Sequence, residues 1–380
     1  MSLTARHAIT RVNLHYTLQA FAQGAGGLFV LAFLLKAGVS APLALLFQAG
    51  LVAGRFVLRP AALPLAIRFG VKPLLMAGTL ITALNFPLLA MVKGPGPFLI
   101  LLCGVSSVGY LLYWLNFHAY FAALGEARDR GGQIGLREAI VAMVGIVAPL
   151  LGAWGLTTLG PTPTFWAVGL IQALAIVPLI GAPNVPVAAT VPAGGAPSWV
   201  ALGLMVGDGL SAATTYFVWL IALFLTLGES FRAFGGAAAA AAVAGAFSGL
   251  ALGRHIDLGH GRRSAILAYS GAAVVVLLRA ASLDAPWLAV LANAAGAFTA
   301  VLVTPVLMTP VYNLAKGSPC VMRFHMATEG AWDVGCFIGC LAAAGLVAAG
   351  LPLSAPLLLA LAAILLMVWL LTRYYGPGPV

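Results

Sequence analysis

Apolar residues run along this chain in long blocks, separated by short segments that hold most of the charges, glycines and prolines. Twelve blocks are long enough to cross a lipid hydrocarbon core as helices, which takes about 20 apolar residues. They cover 13–35, 41–67, 71–92, 96–124, 134–159 and 162–182, then 198–227, 230–254, 263–282, 285–312, 321–350 and 353–374. Runs of this length without turn signals at strand spacing predict helices, and backbone in lipid must satisfy its own hydrogen bonds. Pro60, Pro64, Pro149, Pro305 and Pro310 fall inside blocks. Spanning helices accommodate proline as a kink.

The order is six blocks, a break, and six more. The break, GAPNVPVAATVPAGGAPS from Gly181 to Ser198, has four prolines and no charge, and reads as a linker. The expected organisation is a six-helix bundle at 1–182, a cytoplasmic linker at 183–197 and a second six-helix bundle at 198–380. The halves also match internally. Gly70 and Gly261 lie 191 residues apart, as do Glu138 and Glu329, while Tyr120 and Tyr312 lie 192 apart. Each pair occupies the same place in the topology, which argues for a parallel two-fold repeat.

Composition narrows the class. With 62% hydrophobic and 7% charged residues and a mean hydropathy of +1.06, the chain cannot coat a soluble globule. A soluble enzyme and a disordered protein are both excluded. In a soluble protein a net charge of +10 would point to nucleic acid, but here most basic residues sit between apolar blocks, where they mark a cytoplasmic side. With the N-terminus inside, thirteen Lys and Arg fall on the inner side: Arg6, Arg11, Arg68, Lys72, Arg128, Arg130, Arg137, Arg254, Arg262, Arg263, Lys316, Arg323 and Arg373. Four fall outside or at outer span ends: Lys36, Lys93, Arg232 and Arg279. Both termini are therefore expected in the cytoplasm. Cys103, Cys320, Cys336 and Cys340 lack metal-ligand spacing and read as small hydrophobes. No metal or cofactor is expected. No small-residue cleavage site follows a short apolar core near the N-terminus, so the first block is read as a retained helix.

The loop between the second and third blocks reads LPLAIRFGVKPLL, and the loop between the eighth and ninth reads GRHIDLGHGRR. Here the sequence resembles the major facilitator superfamily, whose signature loop runs Gly-x-Leu-Ala-Asp-Arg-x-Gly-Arg-Lys and recurs in the second half. The second copy keeps Gly253, Asp257, Gly261, Arg262 and Arg263; the first keeps Arg68, Gly70 and Lys72, with Ile67 in place of the acid. The resemblance implies an all-α membrane protein of twelve transmembrane helices in two pseudo-symmetric bundles. It also implies that the loop motif gates the inner side, with Asp257 its acidic member. The Arg of span 4 found in many drug exporters of that family is missing, and Ala148 stands where their Gly-Pro motif would have glycine.

Charges inside the blocks are costly, about 2.5–3.5 kcal/mol or more at mid-bilayer, and so are functional candidates. Arg55 and Arg59 share a face of span 2, Glu329 and Asp333 share a face of span 11, and Asp208 lies about ten residues into span 7. Arg59 and Glu329 fall at matched depth, about 12 Å from the inner face, with Arg55 and Asp333 about one turn deeper. If spans 2 and 11 face each other, as the resemblance implies, two Arg–carboxylate pairs bridge them, either as a static ladder or as a gating, proton-coupling or anion-binding device. Glycines and small residues spaced by four, at Gly50 and Gly54, Gly335 and Gly339, Gly245, Gly249 and Gly253, and Ala148 and Gly152, let backbones approach closely, either as ordinary tight packing or as a sliding interface at the same seam. Asp208, with no basic residue in its own span, and the Glu329/Asp333 pair are the candidate proton carriers, and Arg55 and Arg59 the candidates to hold an anionic group.

In the resembling family the central cavity is lined by spans 1, 4, 7 and 10. That implies Gln19, Gln23, Tyr110, Trp114, Asn116, His118, Tyr216, Asn293, Thr304 and Tyr312 as cavity residues here, besides Asp208. The chain has no Walker loop, no HExxH and no DDxxD cluster, so neither ATP-driven transport nor membrane enzyme chemistry is indicated. The expectation is a secondary transporter, not an enzyme, moving a small organic solute by alternating access and coupled to protons. Its partners would be membrane lipid and a solute, an anion being one option, in a monomer of a bacterial plasma membrane with no nucleic acid. A multidrug or metabolite exporter, and a non-transporting receptor or assembly factor on the same scaffold, are the alternatives.

Overall fold

A computed structural model describes residues 3–124, 130–190, 198–252 and 261–376. Its helices are α1 (Leu3–Ala25), α2 (Val30–Lys36), α3 (Ala41–Phe69), α4 (Val71–Met91), α5 (Pro97–Leu124), α6 (Arg130–Thr158), α7 (Pro161–Leu174) and α8 (Val177–Ile180) in the first half. The second half holds α9 (Trp199–Ala212), a π-helical segment (Ala213–Val218), α10 (Trp219–Thr226), α11 (Phe231–Leu252), α12 (Gly261–Ala281), α13 (Pro286–Lys316), α14 (Val321–Ala348), α15 (Ser354–Leu358) and α16 (Ala360–Tyr374). The described residues contain no strand. Eleven helical stretches among them are long and apolar enough to cross a membrane, and Ala142–Thr158 of α6 is a shorter one. Every apolar block of the sequence is a helix or a helix with one break. The breaks fall at Gly26–Phe29, between α7 and α8, in span 7, and between α15 and α16. Pro60, Pro64, Pro149, Pro305 and Pro310 all lie inside helices, as expected.

The helix starts repeat between halves. Ala41 and Phe231 are 190 residues apart, Pro97 and Pro286 189, Arg130 and Val321 191, and Pro161 and Ser354 193. The chain packs as two compact units, 1–39 with 54–191 and 40–53 with 192–380. The division differs from equal sequence halves at 40–53, the start of α3. A hydropathy pattern marks where a helix lies but not which neighbours it packs against.

In the first unit α4 packs on α5 and α7, and α1 packs on α6. Its core includes Val12, Val71, Leu75, Tyr113, Phe117, Tyr120 and Leu179. In the second, α9 packs on α14 and α16, α11 on α13, and α12 on α13 and α16. Here the core runs through Leu204, Tyr269, Val276, Leu307, Phe324, Ile364 and Met367. Gly54, Gly152, Gly335 and Gly339 serve contacts inside each unit, the ordinary tight packing that was one of the two readings of these small residues. A Cβ on Gly335 would overlap the Val206 carbonyl, one on Gly209 the Trp332 carbonyl, and one on Gly152 the Ala25 carbonyl. Gly54 lies against Ser107 and Gly339 against Ala213. Tight backbone approach is the means by which helices associate where lipid supplies no hydrophobic drive, so small residues are consumed first by the strongest helix pairs.

The loop motif holds the chain that follows each sixth span. Gly70 has φ +82°, a conformation that suits glycine, and a Cβ there would overlap the Asn184 side chain. Asn184 donates to the Phe69 carbonyl (2.9 Å) and accepts from the Lys72 backbone N–H (3.2 Å). Lys72 Nζ donates to the carbonyls of Ala182 (2.8 Å) and Ile180 (3.3 Å), where α8 leaves acceptors unfilled. Val71 N–H donates to Val185 (2.9 Å) and Tyr120 Oη to Pro183 (2.5 Å). In the second unit a Cβ on Gly261 would overlap the Tyr375 ring. Gly261 minus Gly70 is 191, and Tyr375 minus Asn184 is also 191, so one packing relation is repeated. Gly253 and Asp257, the other motif residues of the second copy, lie outside the described residues, as do residues 191–197 of the linker.

Candidate functional site

Span 7 departs from α-helical geometry where its hydroxyls crowd. Thr215 Oγ1 donates to the Ser211 carbonyl (2.8 Å), and Thr214 Oγ1 donates to the carbonyls of Ser211 (3.0 Å) and Leu210 (3.2 Å). Side chains that bond back to the preceding turn compete with the backbone ladder. The turn over Ala213–Val218 is accordingly π-helical, a deviation that concentrates at functional sites.

Beside it lies a cavity of about 240 Å³ inside the second unit, lined by α9, the π segment, α12, α13 and α16. Its walls mix apolar Val275, Val276, Val303, Ile364 and Met367 with Asp208, Ser211, Thr215, Tyr269, Arg279 and Thr299. Asp208 is held by Trp332, whose Nε1 donates to Asp208 Oδ2 (2.8 Å). The other carboxylate oxygen has no partner among the described residues.

Arg279 is buried, at 8% exposure, on the last turn of α12. Its Nη1 donates to the Thr215 carbonyl of the π segment (2.6 Å), and its guanidinium carbon lies 4.7 Å from the Trp219 ring centroid, a cation–π contact. Trp219 is fixed in turn, since its Nε1 donates to Asn293 Oδ1 (2.9 Å) while Asn293 Nδ2 donates to the Ala237 carbonyl (3.0 Å). Gly296 makes room, because a Cβ there would overlap Arg279 Nη2. Thr215 lies seven residues beyond Asp208, about 10 Å along the helix. The cavity thus has a carboxylate toward one end and a guanidinium toward the other, and no ion pair joins them.

The residues singled out from sequence are distributed as follows. Asp208 and Tyr216 line this cavity; Asn293 orients Trp219 beside it. Thr304 is exposed, and Tyr312 is half-exposed with its ring edge-on to His325. In the first unit Gln19 is buried and accepts from Gln172 Nε2, which also donates to Thr82 Oγ1 (3.1 Å). Gln23 accepts from Tyr110 Oη (3.3 Å). Asn116 is buried and donates to the Leu112 carbonyl of its own helix (2.8 Å). Trp114 stacks on His118, which is exposed, with ring centroids 5.7 Å apart. Arg55 and Arg59 lie on α3 in the first unit, and Glu329 and Asp333 on α14 in the second; Arg59 and Asp333 are buried. Arg68, Arg262 and Arg263 are exposed, and Arg68 lies over the Phe69 ring at 5.2 Å.

Sequence reasoning missed Arg279, which had been counted as an outer-side topology marker. A signal was present: Tyr269, Ala272, Val276 and Arg279 follow helical spacing on one face of α12, the helix that packs on α13 and α16. Trp332, Gly296, Gln172 and His15 were also missed. His15 is fully buried and donates from Nδ1 to the Ala175 carbonyl (2.7 Å), at the break that ends α7.

No family model matches the sequence, and no curated protein matches it. Solved structures do. A bacterial homologue of the iron transporter ferroportin, crystallised in an inward-facing state, superposes with a TM-score of 0.73 at 13% identity, covering 98% of this chain and 99% of its own. The crystal structure of the human organic anion transporter TETRAN gives 0.69 at 14%, covering 97% and 99%. An auto-inhibited peptide transporter of the POT family gives 0.67 at 15%, covering 98% and 99%. The chain has the twelve-helix major facilitator fold and is an integral, multi-pass membrane protein.

Proposed function

We propose that the protein is a secondary transporter that moves a small organic solute by alternating access, with a proton carried at Asp208 as the coupling ion. The observation that carries this reading is the cavity within the second unit, where a carboxylate and a guanidinium from two membrane-spanning helices face one small space. Ionisable groups there are costly, and their retention favours a role in binding or coupling. The structural neighbours are transporters, which agrees with the class and says nothing of this chain's solute. Asp208 suits the proton because one oxygen is anchored by Trp332 while the other stays available. The mixed walls suit a solute with an apolar body and polar ends.

The test is uptake into proteoliposomes under an imposed pH gradient. Asp208→Asn, which keeps shape and can still accept from Trp332, is expected to lose accumulation against a gradient while keeping solute exchange and binding. Undiminished pH-driven accumulation by that variant would remove Asp208 from the mechanism.

A further inference from the structure

Arg279 has an unusual electrostatic position. It is buried at the cavity, and one N–H donor is engaged, by a backbone carbonyl. Its Nε is buried without a partner, and no acidic side chain pairs with it among the described residues. Thr215 O and the Trp219 face supply partial negative charge but no anion. A buried cation left without a counter-charge is destabilising, and the cost is relieved when a ligand brings the missing charge. Tyr269 Oη, ten residues before Arg279 on the same helix and so toward the Asp208 end of the cavity, is also buried with no hydrogen-bond partner. Gly296 is the third feature. It leaves the space that Nη2 occupies, and any side chain there would displace the guanidinium.

We infer that Arg279 is the anion-recognition residue of this cavity, and that the solute is a small amphiphilic organic anion. Its acidic group pairs with the guanidinium between Thr215, Trp219 and Gly296, and its apolar body lies against Val275, Val276, Val303 and Met367. This assignment rests on the transporter reading of the same site and deepens it by naming the solute class. The volume, about 240 Å³, admits a compact monoacid rather than a large conjugate. An anionic lipid headgroup shares the same recognition chemistry, so the experiment separates it from a free solute.

The purified full chain is placed in phosphatidylcholine nanodiscs, and binding is read by thermal stabilisation and calorimetry. The probes are phenylacetate and hexanoate, their primary amides and their amines, with chloride and inorganic phosphate as bare anions. The carboxylates are expected to stabilise the protein and the amides and amines to fail. Arg279→Met should weaken carboxylate binding by about tenfold to a hundredfold, the loss of a charge-assisted contact, with Arg279→Lys in between. Gly296→Ala, which keeps the arginine but displaces it, should weaken the same probes and leave the elution profile unchanged. Equal binding of amides and acids, full binding by Arg279→Met, or stabilisation by chloride or phosphate with no gain from an organic body would each overturn the inference. Competition by added phosphatidylglycerol would support the anion site and assign its occupant to lipid. In proteoliposomes the two readings separate. Carboxylates that bind through Arg279 but are never carried across leave the anion site standing and refute transport. Uptake of neutral or cationic solutes unaffected by Arg279→Met does the reverse.

Discussion

At the residue scale, glycine is used where backbones touch. Gly209 and Gly335 bring α9 and α14 together with no room for a methyl group, the facing atoms being backbone carbonyls that cannot rotate away. Gly209→Ala and Gly335→Ala are therefore expected to destabilise by about 1–3 kcal/mol or more, the range for overpacking. Gly236 in α11 is the internal control, because a Cβ there meets nothing within 4 Å. Gly236→Ala should be neutral or stabilising by up to about 1 kcal/mol through helix propensity. Thermal unfolding midpoints in one detergent would check all three, and an equal response would show that the α9–α14 contact tolerates a looser fit. Because Gly209 adjoins Asp208 and Trp332 is the acid's donor, the same substitution should also weaken solute binding, whereas Gly236→Ala should not.

At the element scale, the loop between α3 and α4 fastens the start of the linker. Lys72 and Asn184 supply four of the hydrogen bonds that tie residues 180–184 to 69–72. Lys72→Met together with Asn184→Ala should free this segment, since a loop opens locally once its few anchoring bonds are lost. A cysteine introduced at Val187 should then react with a water-soluble maleimide about tenfold faster than in the parent. An unchanged rate would mean that the Val71–Val185 and Tyr120–Pro183 bonds suffice. The resemblance led us to expect a gating role for this motif. What the described residues display is a fastening role, and its repetition at Gly261 and Tyr375 ties it to the fold's internal symmetry rather than to one half. The π segment of span 7 teaches a related lesson. The run Ser211, Ala212, Ala213, Thr214, Thr215 was legible as a source of back-bonding hydroxyls, but which carbonyl would be offered to Arg279 depended on where α12 lies.

At the scale of the whole molecule, orientation is the testable quantity. Thirteen basic residues on the inner side against four in outer loops and at outer span ends predict that both termini are cytoplasmic. Lys36 and Arg262 are both exposed at helix ends. In intact cells a membrane-impermeant thiol reagent should label Lys36→Cys and miss Arg262→Cys, and the opposite pattern would refute the orientation. The sequence by itself determined the class, the number and limits of the spans, the two-fold repeat and the place of Asp208. These depend on hydropathy over about 20 residues and on the cost of charge in lipid, and both are local properties of the chain. Tertiary structure alone decided that Gly335 serves α9, that 40–53 groups with the second unit, that Asn293 accepts from Trp219, and that Arg279 belongs to a cavity. Each of these turns on which face of a helix meets which neighbour. Lipid is as apolar as a protein core, so the apolar pattern of a spanning helix does not distinguish its inner face from its outer one.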